Sequence, residues 1–159
     1  DLLFIPGYNF DTSQILKSSN DNGFDGFVLG GDGWGDTNTF KALVGDQIKL
    51  KSNVYAATHW NVNLDSKVNR KFVSMYRAKY KEDPVSGSAL GYDSGTLLFK
   101  AINKTAGRSV KNTADQLREF KNVEGVTGNF GFLGNQSVSN KKIVIVEFVP
   151  GKFIYKDTI

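Results

Sequence analysis

The residues that could do chemistry are few, and each candidate motif meets a chemical test. Gly31-Asp32-Gly33-Trp34-Gly35 follows the apolar run Phe27 to Leu29 in the way a nucleotide-binding loop follows a strand. It lacks the third-glycine spacing of the dinucleotide fingerprint and the Lys-Ser/Thr of a P-loop, and its Trp and carboxylate would oppose a phosphate. Asn20-Asp21-Asn22-Gly23 opens like a calcium loop, but the register that puts Gly23 at the sharp turn puts Leu29 where a bidentate Glu belongs. Gly91-Tyr92-Asp93-Ser94-Gly95 is one residue out of register for a nucleophile elbow. His59, the one histidine, stands beside Trp60 at a strand end and is expected to pack or face solvent rather than act as a base. No pair of carboxylates forms an acid/base motif.

What remains is a binding constellation at strand ends, and the elements that position it are legible. Leu2 to Ile5, closed by Pro6-Gly7-Tyr8, suits a buried strand of a sheet covered on both faces. A helix is expected next, capped by Asp11 with Gln14 in the capping-box position, burying Ile15 and Leu16 and stopped at Gly23. Phe27 to Leu29 is a second strand, running into the glycine-rich segment Gly30 to Asp36. Such a βαβ unit pairs its strands in parallel, and ligands gather at the C-terminal ends of those strands, where Tyr8 and Asp32 both lie.

Downstream, a short helix is expected over 36–44 and a third strand over Asn53 to Thr58. Asp65 is expected to cap a long helix that buries a stripe of Val68, Phe72, Met75, Tyr76 and Tyr80. Pro84 breaks the chain, Tyr92 to Asn103 makes another helix ended by Gly107, and Thr113 with Gln116 opens a further one. After Gly128, Asn129 to Leu133, Ile143 to Val149 and Phe153 to Tyr155 are expected to form a β-meander, with Pro150-Gly151 as a tight turn. The fold class is therefore α/β with a Rossmann-like parallel sheet and a C-terminal β-hairpin.

Composition excludes several function classes. In 159 residues there are 12 Phe, 6 Tyr and 2 Trp, enough apolar area for a sizeable core. The net charge of +4 comes from 20 basic and 16 acidic residues scattered along the chain, so no basic stripe for nucleic acid is present. With no cysteine and one histidine, disulfides, thiolate chemistry, Cys-ligated zinc and multi-His metal sites are excluded. No cofactor is expected, nor any apolar run of bilayer-spanning length.

Asp1 to Tyr8, Gly30 to Trp34, Gly91-Tyr92-Asp93 opening a helix, Gly125-Val126-Thr127-Gly128 before Phe130, and the closing run from Ile143 to Phe153 resemble the second half of a branched-chain amino-acid-binding protein. Those proteins are solute receptors of ABC importers with the type I periplasmic-binding-protein fold. The resemblance runs over essentially the whole chain in the expected order. It implies a C-terminal fragment of a two-lobed protein: 1–60 as βα units of lobe two, 61–128 as a helical segment of lobe one, and 129–159 as a return to lobe two.

The resemblance further implies a non-enzymatic, extracytoplasmic protein, periplasmic or lipid-anchored at the outer face of the membrane, that closes by hinge motion on a small amino acid. A ligand-sensing receptor domain of the same fold is the alternative. Asp32 matches the position that holds the ligand's α-ammonium and Tyr8 a tyrosine lining the same cleft; Trp34 would add an apolar or cation–π wall, and Tyr92 lies where lobe one nears the ligand side chain. The receptors it resembles carry Glu where this chain has Asp32, so the substrate is left open among small amino acids. Partners so implied are the amino acid and the permease subunits of the importer, with no nucleic acid. Helix faces left uncovered in a fragment predict a homodimer.

Overall fold

Short apolar runs alternating with glycine stops build a five-stranded sheet in the order β1-β2-β3-β6-β7, from Leu2–Ile5, Phe27–Gly30, Asn53–Thr58, Val144–Val149 and Lys152–Thr158. The computed structural model describes residues 1–34, 40, 42, 44–45, 49–107, 109–133 and 140–159; the helix expected over 36–44 lies largely, and Gly35 and Asp36 wholly, outside them. The chain divides into two compact units, Asp1–Asn63 with Ile143–Ile159, and Leu64–Lys142.

In the first unit β1, β2 and β3 are parallel, with Leu3 beside Val28 and Val28 beside Val54, while β6 runs antiparallel to β3 and β7 to β6. The chain between β1 and β2 forms α1 (Asn9–Asp21), entered through an extended Tyr8 as N-cap. Asp11 is not the cap: it lies in the first turn, where a carboxylate favours the helix dipole. Gly23 stops the helix as expected, with φ +82° and its N–H on the Asn20 carbonyl at 3.0 Å. Leu16 is fully buried, but Ile15 is exposed.

Strand alternation then separates two faces. Ile5, Val28, Val54, Ala56, Val144, Val146, Phe148 and Phe153 are buried on one, packed with Trp34 and Phe40. The other face is open at β1 and β2, where Leu2 is 66% exposed, Phe4 57% and Phe27 53%. The expectation of a sheet covered on both faces therefore fails for this edge.

The second unit holds α2 (Lys67–Tyr80), α3 (Ser86–Thr105), α4 (Val110–Arg118) and an antiparallel pair, β4 (Val123–Gly125) and β5 (Gly128–Phe130). Ser66 rather than Asp65 caps α2, accepting from the Asn69 N–H at 3.0 Å, and Ser109 rather than Thr113 caps α4, accepting from Asn112 at 3.1 Å. Asp65 instead pairs with the Arg70 guanidinium. Of the predicted α2 stripe, Phe72 is buried and Val68 and Tyr76 are half-buried, whereas Met75 and Tyr80 are exposed.

The expected meander is also corrected. Its first strand pairs with β4 and not with β6, and Gly131 and Asn140 tie the following segment back to it: the Gly131 N–H donates to Asn140 Oδ1 at 2.7 Å and the Asn140 N–H to the Gly131 carbonyl at 3.1 Å. The β4–β5 pair accordingly lies with the helices in the second compact unit.

Candidate functional site

Three parallel strands end on one edge of the first unit's sheet, and each delivers a polar side chain there: Tyr8 beyond β1, Asp32 beyond β2 and His59 beyond β3. Glycines make the approach possible. A Cβ on Gly33 would collide with the Gly7 carbonyl oxygen and stand 3.1 Å from Tyr8 Cδ1, so the turn after β2 is in contact with the loop after β1. Residues Asp32–Trp34 form a single 3-10 turn, with the Trp34 N–H on the Gly31 carbonyl at 3.3 Å. That turn sends two neighbouring side chains to opposite destinations.

Asp32 points to solvent, its side chain 68% exposed, and its Oδ2 lies 3.1 Å from His59 Nε2. Trp34 points inward, 1% exposed, with its ring 4.8 Å from Phe40. A buried indole offers no wall to a solute, so the expected role of Trp34 is corrected to that of a core residue. Gly30 is the reason it fits, since a Cβ there would collide with the indole ring.

Tyr8 is 79% exposed, its carbonyl capped by the Thr12 N–H at 3.1 Å and the Thr12 hydroxyl at 2.9 Å. The loop backbone is thereby held while the phenol is left outward. The structure thus sets Tyr8 and Asp32 on adjoining turns of one unit, as expected. Tyr92 belongs to the other unit: it sits on α3, 44% exposed, with its ring 5.0 Å from Phe72.

Sequence reasoning missed two residues. His59 was expected to pack or face solvent and is 46% exposed; its contact with Asp32 was not foreseen, and its place at a strand end was the available signal. Asp93, one residue beyond Tyr92, is buried and accepts from the Val126 N–H at 2.8 Å, the Thr127 N–H at 2.9 Å and the Thr127 hydroxyl at 2.7 Å. It ties α3 to the turn between β4 and β5. Near it, burial pushes the half-buried Lys141 ammonium down to about 8, against the opposing pull of Asp93. Among the described residues no group of three His, Asp or Glu side chains is placed to hold a metal ion, and no helix is long and apolar enough to cross a membrane.

An outward carboxylate and phenol at the mouth of a parallel sheet can bind a cationic or hydrogen-bonding solute. Solved structures carry the same architecture. The leucine-binding protein LivK of Thermotoga maritima superposes with a TM-score of 0.88 at 25% identity, over 99% of this chain and 44% of that one. LivJ, the branched-chain amino-acid transporter substrate-binding protein of Streptococcus pneumoniae, solved with isoleucine, gives 0.87 at 26% identity over 100% and 44%. A solute-binding protein from Rhodopseudomonas palustris solved with 3,4-dihydroxybenzoic acid gives 0.67 at 21% identity over 94% and 48%, a likeness of fold only. The chain spans less than half the length of each of these proteins. Among curated proteins none matches the chain. The model of the periplasmic binding protein family, however, matches residues 1–152, nearly the full 159, and together with the shared sheet this establishes that the chain belongs to that family.

Proposed function

We propose that this chain is part of the solute-binding component of an ABC importer for small amino acids, extracytoplasmic and without catalytic activity. In this reading the sheet unit, residues 1–63 with 143–159, belongs to the second lobe and residues 64–142 to the first. Asp32 receives the α-ammonium of the solute and the Tyr8 hydroxyl adds a hydrogen bond. The observation that carries the proposal is the exposed Asp32 carboxylate at the C-terminal mouth of the parallel strands, on a turn packed against the Tyr8 loop. The likeness to the leucine- and isoleucine-related proteins supports the amino-acid class.

Calorimetric titration of the full-length protein with leucine, isoleucine and valine tests it. Asp32→Ala is expected to weaken binding by about 2 to 5 kcal/mol, because it strips a desolvated ammonium of its partner. Tyr8→Phe is expected to cost about 0.5 to 1.5 kcal/mol, the worth of one neutral hydrogen bond. Unchanged affinity in Asp32→Ala would remove that residue from the site.

A further inference from the structure

The contact between His59 and Asp32 is set by the sheet. Parallel pairing brings Gly30 level with Ala56, so the chain two residues past one and three past the other leaves the sheet side by side as Asp32 and His59. Their side chains meet at 3.1 Å, Nε2 to Oδ2, with both still reachable by solvent at 46% and 68% exposure. An ionised carboxylate only accepts hydrogen bonds, so His59 Nε2 carries the proton in this contact.

We propose that His59 is a positioning residue of the solute site, fixing the Asp32 carboxylate for an ammonium-bearing solute; this rests on the reading of Asp32 as the ammonium acceptor. The torsion that turns an aspartate carboxylate about its last bond is broad and poorly fixed on its own. A donor on Oδ2 pins that plane. It uses one of roughly four lone-pair sites and leaves Oδ1 for a group with three donors to give. An imidazole N–H on Oδ2 also orients the carboxylate without the fixed positive charge that a lysine or arginine would place there. Residue 59 therefore acts on affinity through residue 32 and not by touching the solute.

Full-length protein titrated calorimetrically with leucine and isoleucine decides the matter. His59→Ala is expected to weaken binding about three- to tenfold, the loss of one orienting hydrogen bond. His59→Gln, whose amide nitrogen can replace Nε2 as donor, is expected to return affinity to within about twofold, and His59→Lys to weaken it more than His59→Ala because a fixed cation competes for the carboxylate. In an Asp32→Ala background, His59→Ala is expected to change nothing further.

If Asp32→Ala loses binding while His59→Ala keeps wild-type affinity, the His59 proposal alone is overturned. It is overturned equally if His59→Ala costs as much with Asp32 absent as with it present, since His59 would then act by another route. Unchanged affinity in Asp32→Ala, or no binding of either amino acid by the wild type, overturns the site reading and this proposal together. Thermal unfolding of each variant separates loss of positioning from loss of fold, and His59→Gln keeps the test sharp if His59→Ala melts early.

Discussion

Replacing Asp93 tests how the helical unit is held together. Asp93 is 7% exposed, and its carboxylate takes three hydrogen bonds, from the Val126 and Thr127 N–H groups and the Thr127 hydroxyl, all at 2.7 to 2.9 Å. Bonds to a charged acceptor are worth about 1.5 to 3 kcal/mol each, and a buried N–H left without a partner costs about 1 to 3 kcal/mol. Asp93→Ala orphans two such N–H groups. Some of that penalty is relieved if the turn opens to water, so the expected loss is about 3 to 5 kcal/mol, a large share of the roughly 5 to 15 kcal/mol that stabilises an ordinary domain. Asp93→Asn keeps one accepting oxygen but turns an amide nitrogen toward one or two donors, and is expected to lose about 2 to 4 kcal/mol. Thr127→Val removes the hydroxyl donor and is expected to cost about 1 to 2 kcal/mol. Urea unfolding followed by circular dichroism measures the loss, and amide exchange at Val126 and Thr127 locates it. A loss below about 1 kcal/mol in Asp93→Ala, with both amides still protected, would refute the assignment of a clamp.

The depressed Lys141 predicts a pH effect of definite sign. Between about 8 and the ordinary lysine value the unfolded chain binds the proton that the folded chain lacks, so this residue's penalty is fully present below about 8 and fades as pH rises toward 10.5. Lys141→Met should stabilise at pH 7 by on the order of 1 to 2 kcal/mol, after discounting a half-exposed group for solvent screening, and by much less at pH 10.5; an equal gain at both would contradict it. Gly33→Ala should lower stability by about 1 to 3 kcal/mol, read as a drop in melting temperature, because its methyl meets the Gly7 carbonyl and the Tyr8 ring. Studied alone, the 159-residue chain should sediment as a dimer or larger species, because Leu2, Phe4 and Phe27 expose one continuous apolar edge of the sheet and Leu98 and Phe99 are exposed on α3. Phe4→Glu with Phe27→Lys should favour the monomer, and a wild type that is already monomeric at micromolar concentration would refute the apolar-edge argument.

Local pattern was enough for much of this molecule. β1 and β3 lie on the residues their apolar runs indicate, and Gly23 and Gly107 end helices at positive φ, because backbone freedom at a glycine is a property of that residue alone. The placement of Tyr8 and Asp32 at the mouth of the sheet follows from the same local logic, since parallel strands joined by a crossover must end on one edge. Cap positions were less legible. Asp65 and Ser66 compete for one helix end, and the path of the entering chain selects Ser66.

Tertiary structure alone decided the rest. Asp32 and Trp34 are two residues apart in one glycine-rich turn, yet one faces water and the other is buried, because Gly30 leaves room for the indole and Phe40 stacks on it. Local pattern assigned 129–133 to the C-terminal meander, whereas Gly128–Phe130 pairs with β4, next to the Gly131–Asn140 hydrogen bonds. His59 meets Asp32 across 27 residues and Asp93 meets Thr127 across 34, separations at which no local period carries information. Which polar groups meet at that range depends on the register between strands and on packing in the core, and those are properties of the assembled chain.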